Sequence, residues 1–270
     1  MLNLDIAVTA LDPTRIAEAE KLAAELDLPL AGPGDSHHML LGYTSKGLEL
    51  VKPDDPNLTG SVRVEFTKGK AAFRRRQQKQ EMLIRAIGLK GGAPPTVIDG
   101  TGGLGRDCFI LAVAGCRVLV FEREPVIAAL LSDGLKRALV HPETSEISQR
   151  IRLTVCDTVT ALLEMQQSEQ RVDVVYLDPM FPERRKSARV KKELQMLQML
   201  TTFESSPEHL LTAALETATK RVVVKRPLKA PCLVGRSPSH SLTGKTIRFD
   251  VYITSSNAQR WIPEPQLGTD

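Results

Sequence analysis

"TVIDGTGGLGRDCFILA", residues 96–112, passes from a short apolar strand through a glycine-rich turn into a helix. A nucleotide-like ligand binds in this context, because glycines let the backbone approach it closely and the following helix presents free N–H groups. Gly100, Gly102 and Gly105 satisfy G-x-G-x-x-G, while Asp99, Gly103 and Gly105 satisfy D-x-x-x-G-x-G. The first pattern also serves tight structural turns, so the surrounding sequence must decide between the two readings.

Downstream, short apolar runs at 96–99, 117–121, 151–155, 172–177 and 221–225 alternate with helical patterns near 106–114, 125–139, 158–167, 189–200 and 207–219. Strands buried on both faces and joined by helices predict a parallel, doubly wound α/β sheet of Rossmann-like type. Segments 221–225 and 246–253 have no helix between them, which predicts an antiparallel C-terminal hairpin. Upstream, 4–10 reads as a strand, and Asp12-Pro13 offers an N-cap and a first helical proline for a helix running to about Asp27. Strands at 39–44, 47–52 and 61–66, the last with Val62, Val64 and Phe66 alternating, complete a small α+β unit. A helix carrying Phe73, Leu83, Ile84 and Ile87 on one face follows. The expected division is therefore a small N-terminal α+β domain over 1–70, a catalytic domain over 71–255 and a tail over 256–270.

Composition narrows the class. A 270-residue chain that is 42% hydrophobic can bury a sizeable core, and a net charge of +4 is too small to name a partner. Charge distribution is more informative: nine Lys or Arg lie between Arg63 and Lys90, six between Arg184 and Lys192 and five between Lys220 and Lys229. Cys108, Cys116, Cys156 and Cys232 are widely spaced, with no C-x-x-C and no histidine at ligand spacing, so neither a metal site nor a disulfide framework is expected. The lack of a long apolar run or a signal-like N-terminus predicts a cytoplasmic protein with no membrane contact.

Glu122 closes the second strand of the α/β region, where a carboxylate accepts hydrogen bonds from ribose hydroxyls of either a dinucleotide or S-adenosylmethionine (SAM). Asp99, placed just before the glycines, suits a cationic, amine-bearing ligand better than a pyrophosphate and favours SAM. Asp157-Thr158 follows the third strand, placed either to meet an adenine amine or to cap the next helix. "DPMF", Asp178 to Phe181, follows the fourth strand at the sheet's carboxyl edge and resembles the D-P-P-Y/F loop of methyltransferases that act on exocyclic amines of bases, with Met180 replacing the second proline. Such an amine has its lone pair delocalised into the ring and must be oriented by acceptors. Asp178 and the carbonyl of Pro179 can take its two N–H groups while Phe181 stacks on the base.

"DGTGGLGRD", "FEREPVIAALLSDGL", "VVYLDPMFPERRKSARVKKE" and "KRVVVKRP", with "GKAAFRRR" upstream, together resemble the bacterial 16S ribosomal RNA guanine-N2 methyltransferase family called RsmJ. The resemblance covers most of the chain. It implies a SAM-dependent enzyme that modifies one guanosine of small-subunit rRNA, with SAM contacts at Arg106, Asp107, Glu122, Arg123, Asp157, Thr158 and Asp178. Asp157-Thr158 stands where the family often has small hydroxyl residues, and nothing is carried over to the longer tail after Ser255.

Six cations directly after the Asp178 loop fit phosphate binding, which positions RNA without reading its sequence. Arg74, Arg75, Arg76, Arg184, Arg185, Lys186, Lys191 and Lys192 are the expected RNA contacts, and 16S rRNA or the small ribosomal subunit is the expected partner. Three other readings stay open on the residues alone: an amine methyltransferase acting on tRNA or DNA, an NAD-dependent oxidoreductase, and a non-catalytic RNA-binding module.

Overall fold

The computed structural model describes residues 5–32, 34–53, 60–69, 72, 81–89, 92–179, 192–201 and 206–254. In chain order the elements are β1 (Ile6–Ala10), α1 (Ile16–Leu26), β2 (Met39–Thr44), β3 (Gly47–Val51), β4 (Ser61–Val62), α2 (Met82–Ala86), β5 (Thr96–Asp99), α3 (Arg106–Val113), β6 (Arg117–Glu122), α4 (Pro125–Leu139), α5 (Ser145–Ser148), β7 (Ile151–Val155), α6 (Thr158–Gln167), β8 (Val172–Leu177), α7 (Lys192–Leu200), α8 (Pro207–Thr217), β9 (Ala218–Pro227), β10 (His240–Thr243) and β11 (Ile247–Ile253). They fall into two compact units.

The first unit holds residues 1–65, 124–137 and 182–202. Its sheet runs β1-β2-β3-β4, with β1 parallel to β2 and the other pairs antiparallel. Ala7, Val8, Met39, Leu41, Leu48 and Leu50 are buried along it. Asp12 does cap, accepting from Thr14 N at 3.0 Å, but it caps a 3-10 turn over Pro13–Arg15 that leads into α1. The segment SVRVEF keeps its alternating burial but forms only a short strand: pairing stops after Val62. Val64 and Phe66 stay buried. The carbonyl of Val64 instead accepts from Arg137, which also pairs with Asp133 and Glu65.

The second unit holds residues 66–123, 138–181 and 203–270. There Phe66 stacks on Phe109 with ring centroids 4.2 Å apart. A seven-stranded sheet runs β10-β11-β9-β8-β5-β6-β7. Strands β5 to β9 are mutually parallel, and β11 returns antiparallel to β9 with β10 beyond it. β5 and β8 are buried at every position, as strands covered on both faces must be. One core cluster joins Ile98, Leu119, Phe121, Leu162, Leu177, Leu211, Val222 and Val224. Asp173, inside β8, is satisfied by Thr96 N at 2.8 Å, Thr96 Oγ1 at 3.1 Å and Lys220 Nζ at 3.1 Å. A buried charge needs such partners.

Helix α8 stops two residues short of the sequence-based expectation. Ala218 takes extended dihedrals and pairs with Val172, so β9 begins at once and is twice as long as 221–225. β5 lies between β6 and β8, so the chain order reverses direction at its edge. Open α/β sheets place ligands beyond the carboxyl ends of strands at such a point.

Candidate active site

Asp99 ends β5 with only 1% of its surface exposed. Its Oδ1 accepts from Thr101 N at 3.1 Å and from Thr101 Oγ1 at 3.4 Å. Burial pushes its carboxyl up to about 7; Asp107 and Asp178 add to the rise, while the Thr101 N–H and Lys225 oppose it. Thr101 also links two strand ends, because its Oγ1 accepts from Asp178 N at 2.6 Å.

The glycine loop is laid across the strand ends by backbone bonds: Gly100 N donates to Tyr176 O at 3.0 Å and Gly102 N to Phe121 O at 2.9 Å. A Cβ on Gly102 would stand 2.6 Å from Val120 Cγ1 and 3.1 Å from Phe121 O, so glycine is required there by close approach. Gly103 has φ of +51°, and a Cβ on it would meet nothing nearer than Thr101 O at 3.8 Å. Its backbone therefore borders open space. Gly103 N donates to Glu122 Oε2 at 2.7 Å, which ties the loop to the end of β6.

Behind Asp99 lies a charged chain of contacts. Lys225 Nζ, from β9, is 2.8 Å from Asp107 Oδ2 and 2.8 Å from Asp178 Oδ2. Tyr176 OH donates to the same Asp107 oxygen at 2.8 Å. Burial works against the charge on Lys225, but the two carboxylates outweigh it and hold the ammonium well above its ordinary range. For Asp178 burial raises the carboxyl, and Lys225 pulls it back only in part. Burial also pushes the Tyr176 phenol up, which keeps it a donor.

Thr158 Oγ1 donates to Gly100 O at 2.7 Å, so the third strand end braces the loop as well. Asp157 caps α6: its Oδ1 accepts from Thr160 N at 3.0 Å. Four carboxylates, Asp99, Asp107, Glu122 and Asp178, thus gather around one loop. This is a poor setting for a pyrophosphate and a good one for a ligand with a sulfonium and an ammonium.

Residues 21–254 match the family described as "Putative SAM-dependent methyltransferase". Ribosomal RNA small subunit methyltransferase J of Thioalkalivibrio sulfidiphilus is 47% identical over 87% of this chain and 92% of its own length. Its namesake from Aeromonas salmonicida is 46% identical over 92% of this chain and 97% of its own.

The chain belongs to the ribosomal RNA small subunit methyltransferase J family.

A crystal structure of a SAM-dependent methyltransferase from Neisseria gonorrhoeae superposes with a TM-score of 0.73 at 31% identity, covering 92% of this chain and 95% of that one. As a methyltransferase J family member the chain is SAM-dependent, and the residues present fit that ligand. Asp99 is a buried carboxylate, a group that suits an ammonium; Glu122 ends its strand with a carboxylate, a group that suits ribose hydroxyls; and a Cβ at Gly103 would meet nothing nearer than 3.8 Å.

Of the residues singled out from the sequence, Asp99, Gly103, Gly105, Asp107, Glu122, Thr158 and Asp178 come together around the loop, with Arg106 directly after it in the chain, Arg123 directly after Glu122 and Pro179 directly after Asp178. Phe181, Arg74, Arg75, Arg76, Arg184, Arg185, Lys186 and Lys191 lie outside the described residues, as does the side chain of Lys192. Three members of the network are absent from the sequence-based set: Thr101, Tyr176 and Lys225. A signal existed for two of them. Tyr176 stands two residues before Asp178 and so shares its strand face, and Lys225 interrupts the apolar run of β9.

Proposed function

We propose that this protein transfers a methyl group from SAM to the exocyclic N2 amine of one guanosine in 16S ribosomal RNA. The observation that carries the reading is the placement of Asp178 at the end of β8, hydrogen-bonded through its backbone to the Thr101 that holds Asp99. A base acceptor and an ammonium acceptor are then one side chain apart. Its relatives' name, ribosomal RNA small subunit methyltransferase J, supports the choice of substrate.

SAM supplies an electrophilic methyl on a sulfonium; the chain supplies alignment. In our reading Asp99 holds the ammonium, Glu122 the ribose hydroxyls, and Arg106, Asp107, Arg123, Asp157 and Thr158 the remainder of the pocket. Asp157 Oδ1 is engaged by Thr160 and the Thr158 hydroxyl by Gly100 O, so in our reading these two residues shape the adenine end of the pocket. Asp178 and the carbonyl of Pro179 accept the two N–H groups of the guanine amine. This draws the nitrogen lone pair out of conjugation and towards the methyl carbon, and Asp178 then receives the proton that the amine gives up. Phe181 stacks on the base, which is extruded from its helix to reach the pocket.

Arg74, Arg75, Arg76, Arg184, Arg185, Lys186, Lys191 and Lys192 are assigned to phosphates of the RNA, on their density in the sequence and on the adjacency of the second group to Asp178-Pro179. Charge reversal at Arg184 and Arg185 should abolish rRNA binding at physiological salt; unchanged binding would remove that assignment. We assign residues 1–70 to a separate N-terminal domain, 71–255 to the catalytic domain and 256–270 to a tail, in the cytoplasm. No helix among the described residues is long and apolar enough to cross a membrane.

The test is transfer from radiolabelled SAM to purified 16S rRNA, small subunits, tRNA and DNA, followed by nucleoside digestion, with SAM and NAD binding measured by calorimetry alongside. Label in 2-methylguanosine supports the reading. Label only on tRNA or DNA transfers the chemistry to another nucleic acid, and binding of NAD without SAM overturns it.

A further inference from the structure

Lys225 is placed where the pocket needs no cation for its ligand and already holds several acids. Its Nζ touches two carboxylates at once, Asp107 Oδ2 and Asp178 Oδ2, each at 2.8 Å, and 24% of its side chain is exposed. Tyr176 OH, also on Asp107 Oδ2, fixes the far anchor from the neighbouring strand. Among the described residues, the charged and titratable groups facing Asp178 are Lys225 from β9, Asp107 from α3, Asp99 from β5 and Tyr176 from its own strand. Without the ammonium, Asp178 would face two further acids and a phenol.

We propose that Lys225 is a positioning residue for methyl transfer: anchored by Asp107 and Tyr176, it holds Asp178 by Oδ2, keeps it a carboxylate, and leaves Oδ1 to accept the substrate's amine. The geometry gives both halves of that task. Oδ2 is occupied by Lys225, while Oδ1 has no donor among the described residues. The backbone of Asp178 is fixed independently by Thr101, so the ammonium sets the rotation of the carboxylate and the Thr101 hydroxyl sets its place. A lysine suits this role because its point charge satisfies two acids without claiming both oxygens of either, as a bidentate arginine fork tends to do.

The proposal rests on Asp178 as the amine acceptor, so the two claims are tested side by side in the full-length protein. Lys225→Met, Lys225→Arg and Asp178→Asn are compared for SAM affinity by calorimetry and for kcat and KM on 16S rRNA between about pH 6 and pH 9. Lys225→Met should keep the SAM Kd within about threefold and lose about tenfold to a hundredfold in kcat near neutral pH. The acid limb of its kcat profile should move up by about one pH unit, so that part of the loss is recovered at high pH. Lys225→Arg keeps the charge and should keep the limb while losing some kcat to altered placement. Lys225→Gln, neutral but able to donate, serves in place of Lys225→Met if that variant does not fold, with the same displaced limb expected. An acid limb that stays put in the neutral variants, or a loss confined to KM and SAM affinity, overturns the proposal. Wild-type turnover in Asp178→Asn would instead remove the reading beneath it.

Discussion

Replacing Asp99 by asparagine separates the cost of burying this carboxylate from its use. Asn keeps the oxygen that accepts from Thr101 and cannot ionise. In the folded protein Asp99 titrates at about 7, against 3.8 for an ordinary aspartate. Between those two pH values the native state holds a proton that the unfolded chain has released, so wild-type stability falls as pH rises from about 4 to about 7 and stays low above it. A tenfold difference in proton affinity between the folded and unfolded chains is worth about 1.4 kcal/mol, which bounds the penalty above neutral pH at about 4 kcal/mol. Asp99→Asn should therefore match the wild type near pH 4 and exceed it at pH 8 by roughly 2–4 kcal/mol, or roughly 5–15 °C in the melting temperature of a domain this size. The same linkage governs the ligand: an ammonium requires the carboxylate, so wild-type SAM affinity should weaken up to about tenfold for each pH unit below 7. The variant should bind weakly and without that dependence. Calorimetric melting and SAM titration of both proteins at pH 5 and pH 8 provide the check. A stability difference that is the same at both pH values would refute the argument, because it would mean that Asp99 is charged throughout.

Asp178→Asn should remove most methyl transfer, by about 2–4 kcal/mol or roughly 30- to 1,000-fold, because Lys225 takes the one amide oxygen and turns the NH2 group towards the substrate's own donors. Its SAM affinity should suffer less than that of Glu122→Ala, measured by calorimetry. Glu122→Ala forfeits a charged acceptor for ribose and the bond to Gly103, and its SAM Kd should rise about tenfold to a hundredfold. Gly102→Ala must move Val120 or the Phe121 carbonyl, since its Cβ would stand 2.6 Å and 3.1 Å from them. It should cost about 1–3 kcal/mol, seen as a lower melting temperature together with weaker SAM binding.

The parts of this protein that were legible in its sequence are those written locally. Residues 96–112 carry strand, loop and helix in one continuous run, and the buried strands β5, β6 and β8 read as apolar runs because both their faces are covered. Asp99, Glu122 and Asp178 stand out in the sequence because the first two end strands and the third directly follows one. What escaped was assembled across the sheet. Lys225 meets Asp107 from 118 positions away, and Tyr176 meets it from 69. Only the strand order β9-β8-β5 makes them neighbours. Strand β10 escaped for another reason: three of its four residues are exposed at the sheet's edge, so no apolar pattern marks it. At Val64 and Phe66 the alternation was present without a ladder, because burial and an Arg137 hydrogen bond satisfied the same residues in another way.

The central claim is that this chain methylates a guanosine of 16S rRNA through the crevice at Asp99, Glu122 and Asp178. Mapping 2-methylguanosine across 16S rRNA from cells with the gene, without it, and with the Asp178→Asn form restored addresses the claim most directly. One modified guanosine should vanish on deletion, return with the wild-type protein and stay absent with Asp178→Asn. A modification pattern unchanged by deletion, or restored in full by Asp178→Asn, would contradict it.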